Sequence, residues 1–205
     1  MIRVRHLMAA CAALLLAACA SAPTHYYTLI PAPDNAQAEG SAPPASFQFE
    51  LLPVGIPAQD DVPQLVVRQG GQAVALLNGE RWIAPLADDI RGALSVDLSR
   101  RLNAQDISSG LPVDGKPVLR IKVDLRRFDS SPGSYALIEA TWTVRPLKGT
   151  GNVVLTCSSR INEDVGQGYE GLVAGHQRAL SELAQQIASV APAMAVGTVP
   201  ACPVR

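Results

Sequence analysis

Aromatic residues are scarce in this chain, and so are the patterns that carry catalysis or metal binding. Phe, Trp and Tyr make up 4% of the 205 residues, and there are only three histidines and four cysteines. No CxxC or CxH pairing supports a zinc site, and no GxSxG motif supplies a nucleophile. A net charge of −1 without a basic cluster argues against nucleic acid. The sequence therefore predicts no enzyme, no metal, no cofactor and no nucleic-acid partner.

The apolar run near the start is too short to cross a membrane. Residues 7–18 are apolar throughout, whereas a transmembrane helix needs roughly 20 such residues. Arg3 and Arg5 precede the run in a segment without acids, an order typical of a secretory signal peptide. The run ends in Leu16-Ala17-Ala18-Cys19, which resembles the lipobox of bacterial lipoproteins.

The lipobox resemblance implies that residues 1–18 are removed and that Cys19 becomes the acylated first residue. Burial of acyl chains yields ~0.8 kcal/mol per methylene, so three chains would anchor the protein durably. Ala20 and Ser21 stand where an Asp usually retains lipoproteins at the inner membrane, which implies the outer membrane, facing the periplasm. The alternative is an ordinary secretory signal with a chance cysteine. Removing 18 of the 205 residues leaves 187 with a net charge of −3, enough for one sizeable domain.

Two cysteines remain after this processing. Cys11 leaves with the signal and Cys19 carries lipid, so Cys157 and Cys202 are the candidates for a disulfide in the oxidising periplasm. A bridge between them would close a loop worth roughly 3–4 kcal/mol in the chain-entropy model. Two independent thiols are the alternative.

The mature chain divides into a lipidated N-terminus over residues 19–46 and a single globular domain over residues 47–205. The first part contains Tyr26 and Tyr27, which we expect in a short edge strand, and a Pro- and Ala-rich linker over residues 31–46. In the second part, Gly70-Gly71 predicts a hairpin, and Asn78-Gly79 predicts a turn before a helix. That helix begins at Pro85, and its apolar stripe recurs every four residues at Leu86, Ile90, Leu94, Leu98 and Leu102.

Three strands and a second helix follow. Apolar and polar residues alternate over residues 119–126, 136–144 and 153–161, which predicts an antiparallel meander with one dry face. Turns are expected at residues 129–133 and 148–151. The last helix is predicted over residues 170–191, before a Pro-rich surface tail. The predicted fold class is a layered α/β domain, a mixed and largely antiparallel sheet packed by two main helices.

Several motifs suggest chemistry that their context does not support. Residues 166–171 read GxGxxG, but no further parallel strand follows to complete a dinucleotide-binding unit. His176 lies on an apolar helix stripe, as a packed histidine would. The acidic pairs at residues 60–61, 88–89 and 163–164 could at most hold a weak calcium ion. A basic strand face (Arg120, Lys122, Arg126, Arg145 and Arg160) indicates either a solvated surface or contact with an acidic partner or lipid head groups.

An ordered set of short phrases resembles one protein family. Tyr26-Tyr27-Thr28-Leu29 follows the lipobox, and PVGIP and VPQLVVR occupy residues 53–57 and 62–68. Residues 81–86 read RWIAPL before the first helix, and YEGLVAGHQRALSELAQQIA opens the last at residues 169–188. Together they resemble the ABC-type transport auxiliary lipoprotein family, PqiC (YmbA) type, over nearly all of the mature chain.

This resemblance implies a three-layer α/β fold and a lipoprotein of the outer membrane. The implied partners are a periplasmic MCE-domain (mammalian cell entry) protein of the PqiB type and an associated inner-membrane component. Such systems move phospholipid or other hydrophobic molecules and support envelope integrity. A homo-oligomer would suit a ring-shaped partner.

The expected role is docking, with the contact around Trp82. Arg81, Tyr26 and Tyr27 are the other candidate contacts, and the alternative for Trp82 is packing at the helix start. The competing functions are a free-standing lipid-binding lipoprotein with an internal cavity and a hydrolase dependent on His176.

Overall fold

The computed structural model describes residues 23–32, 44–147 and 153–204, and these form seven strands and two long helices. The predicted signal peptide, Cys19, most of the linker and the turn at residues 148–151 lie outside the described residues. In chain order the elements are β1 His25–Tyr27, β2 Gln48–Leu51, a 3₁₀ turn Ala58–Asp60, β3 Gln64–Arg68, β4 Val74–Trp82, α1 Leu86–Leu102, β5 Val118–Ser131, β6 Tyr135–Pro146, β7 Leu155–Asp164 and α2 Tyr169–Ala195.

The strands form two mixed sheets. The large sheet has the order β2-β5-β6-β7, with β2 parallel to β5 and the meander β5-β6-β7 antiparallel, as predicted. The small sheet has the order β1-β4-β3, with β1 parallel to β4. The α/β class is confirmed. The division into two sheets was not predicted, because β1 and β2 each pair with a strand far along the chain.

The core lies between the large sheet and the two helices. The dry face of the meander packs on the stripes of α1 and α2, and the side chains between them are almost fully buried. Helix α2 runs to Ala195, past the predicted end at residue 191, with Pro192 in its last turns. Met194 and Ala195 are buried there, and the free energy gained by their burial offsets the loss of the helical hydrogen bond that Pro192 cannot donate.

The prediction of a turn at Asn78-Gly79 was wrong. Both residues lie within β4, which runs to Trp82. The pairing with β3 shifts at this place, since Gln64 pairs with Arg81 while Leu65 pairs with Leu77. Asn78, Gly79 and Glu80 therefore bulge out of the ladder with β3. On the opposite edge of β4, β1 pairs with Glu80, Arg81 and Trp82.

Two other predicted boundaries move slightly. Pro85 is the N-cap of α1 and precedes its first helical residue. Strand β5 continues through Ser131, so its turn into β6 is shorter than predicted. The hairpin at Gly70-Gly71 is as predicted, and both glycines have the positive φ that this turn requires.

Candidate docking site

The N-terminal strand lies directly beside the end of β4. Tyr26 pairs with Arg81 and Tyr27 with Trp82, so the predicted edge strand is observed. The Ile83 amide donates to the Tyr27 carbonyl at 2.9 Å and extends the ladder past the end of β4. The candidate contact residues of the sequence therefore do meet in one place.

A carboxylate on α1 holds the residues that follow β1. Asp89 accepts hydrogen bonds from the Leu29 amide at 2.7 Å and from the Thr28 hydroxyl at 2.9 Å. Gln177 of α2 donates to the Thr28 carbonyl at 3.0 Å, and the Leu29 side chain is fully buried. This clamp, formed by Asp89 and Gln177 on Thr28-Leu29, joins the N-terminal strand to both helices.

Glu80 links two side chains of β1 to β4. It accepts from the Tyr27 hydroxyl at 2.6 Å, and His25 Nδ1 lies 3.0 Å from its other oxygen. Burial and this hydrogen bond raise the pKa of Tyr27 to about 12. Burial opposes ionisation of Glu80, but the bonds from Tyr27 and His25 outweigh it and lower its pKa. The pair therefore holds β1 in register with Tyr27 neutral and Glu80 charged.

Trp82 is mostly buried, with 5% of its surface exposed. Its ring meets Phe128 of β5 edge-on at 6.1 Å, and Phe128 in turn stacks on His176 at 3.9 Å. Trp82 thus has the packing role weighed in the sequence analysis, and one side of it also lines a surface groove.

The groove lies where β4 passes into α1. It encloses about 400 Å³ and is lined by Asp61, Val62, Pro63, Trp82, Ile83, Ala84, Pro85 and Leu86. Ile83 is 62% exposed at its edge. Tyr26, which is 58% exposed, shares the outward face with Arg81 and Ile83 because side chains alternate along paired strands. We name Tyr26, Arg81, Ile83 and this groove the docking face.

His176 is fully buried in α2 and cannot reach a substrate. Its Nε2 atom bonds to the Ser130 hydroxyl at 2.8 Å, and burial lowers its pKa to about 3. A general base must be within hydrogen-bond reach of the proton it removes, so His176 is a packed neutral histidine. Of the GxGxxG residues, 166–168 form the loop before α2, where Gly168 has a φ of 86°, and 169–171 form the first turn of the helix.

The acidic pairs occupy three different surroundings. Asp60 is buried beneath the small sheet, and burial together with the charge of Asp129 raises its pKa to about 6. Asp89 belongs to the clamp, and Glu163 bonds to Arg178. Across residues 23–32, 44–147 and 153–204, no three His, Cys, Asp or Glu side chains converge as metal ligands would.

Cys157 and Cys202 are joined in a disulfide with their Cα atoms 5.6 Å apart. Cys157 points inward from β7, while Cys202 belongs to the tail after α2. The bridge therefore ties the tail to the large sheet.

Comparison with known proteins identifies the chain's relatives. The family model of the ABC-type transport auxiliary lipoprotein component matches residues 27–188. The chain belongs to this family. A comparison with curated proteins finds no match.

Solved structures share the fold of this auxiliary lipoprotein. The crystal structure of an uncharacterized protein matches with a TM-score of 0.63 at 16% identity, covering 82% of this chain and 98% of that one. A Xanthomonas campestris protein of the DUF330 family matches with a TM-score of 0.55 at 15% identity, covering 84% and 96%. At such identities the likeness concerns the fold.

The basic strand face of the auxiliary lipoprotein is largely neutralised. Arg120 pairs with Glu50 at 2.7 Å, Lys122 with Asp124 at 2.8 Å, and Arg160 with Glu139. Such mixed charge is typical of a solvated surface. In the part of the chain that the structure describes, no helix is both long and apolar enough for a bilayer span.

Sequence reasoning missed several residues that build the docking face. Ile83 could have been found, because alternation from Arg81 through Trp82 puts it outward. Asp89, Glu80 and Gln177 could not, because their partners in residues 25–29 are distant in sequence and the parallel pairing of β1 leaves no local pattern.

Proposed function

We propose that this auxiliary lipoprotein is anchored through Cys19 in the outer membrane and docks an MCE-type transport assembly in the periplasm. In this role it connects a PqiB-like MCE protein, and through it the inner-membrane component, to the outer membrane. The transported material would be phospholipid or another hydrophobic molecule, and loss of the docking would weaken the envelope. Membership in the auxiliary lipoprotein family supports the general role.

The observation that carries the proposal is the construction of the docking face. Ile83 lines the open groove with 62% of its surface exposed. Tyr26, which pairs with Arg81 on the neighbouring strand, is 58% exposed. Exposed apolar side chains around a groove are typical of protein interaction sites. Because Tyr26 lies on the strand that leads back to Cys19, a partner bound here would be held by the anchored strand itself.

The filled interior favours an adaptor over a free-standing lipid carrier. Phe49, Leu119, Ile138 and Trp142 are at most 1% exposed between the large sheet and the helices. Such close packing holds no lipid unless the helices separate from the sheet. Native mass spectrometry of the purified lipoprotein checks this, and a phospholipid bound at one per chain would contradict the adaptor role.

A photo-crosslinking amino acid in place of Ile83 tests the docking in cells. The residue is exposed, so the replacement should leave the fold intact, and the crosslinked partner is identified by mass spectrometry. The matched control replaces Val196, which is 73% exposed just after α2. We expect an MCE-domain protein from Ile83 and not from Val196. Capture of only unrelated envelope proteins from Ile83 would contradict the proposal.

Lipidation at Cys19 has its own test. Cys19→Ser should leave the signal peptide uncleaved by the lipoprotein pathway and should prevent acylation. The mass of the N-terminal peptide from the wild-type protein should include three acyl chains on residue 19. A mature N-terminus at another residue would contradict the anchor.

A further inference from the structure

The hairpin between β3 and β4 ends in an exposed segment without charge. Residues 69–79 contain no ionisable side chain. In this segment Val74 is 50% exposed and Leu76 is 52% exposed, next to the exposed turn at Gly70-Gly71. We name residues 69–76 the hairpin tip. Exposed apolar side chains in an uncharged segment of an acidic protein are typical of a surface that contacts another molecule or a membrane.

The strand pairing puts the hairpin tip on the side from which the anchored N-terminus enters. β1 runs parallel to β4, with His25 beside Glu80 and Tyr27 beside Trp82. The Pro23 carbonyl lies 3.5 Å from the place where a Cβ on Gly79 would stand. The chain therefore reaches the fold from the direction of the start of β4, which is the direction of the hairpin tip.

The distance to the anchor is short. Cys19 lies four Cα-to-Cα steps before Pro23. An extended chain spans at most about 3.6 Å per step, or roughly 14 Å in all. Along β4 the five steps from Gly79 to Val74 cover roughly 17 Å at about 3.3 Å per residue. Measured from the level of Pro23, the hairpin tip therefore extends at least as far in this direction as Cys19 can.

We propose that the hairpin tip lies in the head-group region of the lipid bilayer that holds Cys19. The inference rests on the proposed anchor, and it adds a second contact between protein and membrane. Val74 and Leu76 enter the interface, where apolar side chains reach about 5–10 Å below the surface. The neighbouring carboxylate of Asp129 is paired with Arg68 at 2.8 Å and with Arg127, so the contact depends on apolar burial and not on lipid charge.

A fluorescent probe on the full lipoprotein tests this contact. Gln72→Cys is labelled with an environment-sensitive fluorophore, and the protein is reconstituted in phosphatidylcholine vesicles. The new thiol is the reactive one, because Cys157 and Cys202 are bridged and Cys19 is acylated. Leu111→Cys, at an 88% exposed position before β5, is the matched control.

We expect a blue shift and quenching by nitroxide-labelled lipid at residue 72, and neither at residue 111. The signal should not change with salt, and Val74→Asn combined with Leu76→Asn should abolish it while Leu111→Asn does not. No shift at residue 72 in vesicle-bound, acylated protein would overturn the inference. So would a shift that grows with protein concentration without vesicles, which indicates contact between copies, or one that requires anionic lipid.

These outcomes are separate from those that test the proposed function. The mass of the N-terminal peptide tests the anchor, and the crosslink at Ile83 tests docking. A correctly acylated protein that captures its MCE partner but shows no shift at residue 72 would refute only the hairpin contact.

Discussion

Two buried titratable residues adjoin the same pair of side chains from different elements. His176 stacks on Phe128 and bonds to Ser130, while Asp60 lines a small space against the same two residues. Burial lowers the pKa of His176 to about 3 and raises that of Asp60 to about 6. Both groups therefore favour their neutral forms in the folded protein, and their effects on stability change with pH in opposite directions.

The sign of each contribution follows from proton binding. Between pH 6.5 and about 3 the unfolded chain protonates His176 and the folded chain does not, so stability falls as the pH falls. Between pH 6 and 3.8 the folded chain protonates Asp60 and the unfolded chain does not, so stability rises as the pH falls. The two contributions oppose each other from about pH 6 to about pH 4.

Asp60→Asn should remove the Asp60 contribution and leave the effect of His176 on the pH dependence of stability unopposed. As the pH falls from 6 to 4, the free energy of unfolding should decrease more steeply in the variant than in the wild type. The difference in slope should be up to about 1.4 kcal/mol per pH unit. Urea unfolding at pH 7, 6, 5 and 4 measures this. The charges of Asp129 and Arg68, which face Asp60, remain in both proteins. Parallel pH profiles for variant and wild type would contradict the assignment.

At the scale of elements, the three-residue strand β1 is too short to be stable by its own hydrogen bonds. Its position depends on the clamp, where the Asp89 carboxylate satisfies a buried backbone amide at Leu29. An unsatisfied buried donor costs about 1–3 kcal/mol. Leu29 itself belongs to the main core, so the clamp also fixes a buried side chain.

Asp89→Ala should therefore loosen β1 and the docking face. We expect a loss of about 1–3 kcal/mol in the free energy of unfolding and faster amide hydrogen exchange at Leu29 and Ile83. Asp88→Ala is the matched control, since Asp88 occupies the same helix turn but is exposed. Equal effects of the two substitutions would show that the helix dipole, and not the clamp, is responsible.

For the whole molecule, the disulfide joins the tail after α2 to β7 on the large sheet. The loop it encloses contains the whole of α2, which packs across the meander. Constraint of such a loop in the unfolded chain contributes roughly 3–4 kcal/mol. The stability of the protein should thus depend on the redox state of its compartment.

Reduction should lower the free energy of unfolding of the wild type by roughly 3–4 kcal/mol. Cys202→Ser should be destabilised to a similar degree, and a reductant should have no further effect on it. Chemical unfolding with and without dithiothreitol measures both. A wild type that is insensitive to reductant under unfolding conditions would indicate that the bridge does not form.

Patterns local in sequence predicted much of this fold, and pairings distant in sequence were not predictable. The meander, both helices and the hairpin at Gly70-Gly71 follow from alternation, four-residue spacing and turn residues. The small sheet depends on the parallel pairing of β1 with β4, which no periodicity encodes. Asn78-Gly79 does not form the turn that its residue types favour, because both residues lie in the bulge within β4. Trp82, Arg81, Tyr26 and Tyr27 were the contact candidates from the sequence, and the strand pairing brings them together. The clamp of Asp89 on Leu29 required the tertiary structure.

The direction of β1 relative to β4 has a mechanical consequence. If the transport assembly moves while Cys19 stays in the membrane, the pull on Pro23 acts along the axis of β1. The ladder to β4 and both bonds of Asp89 are then loaded together, in shear, and do not open one after another. We therefore expect the domain to behave as a stiff mount for its partner, with its orientation to the membrane set by strand geometry.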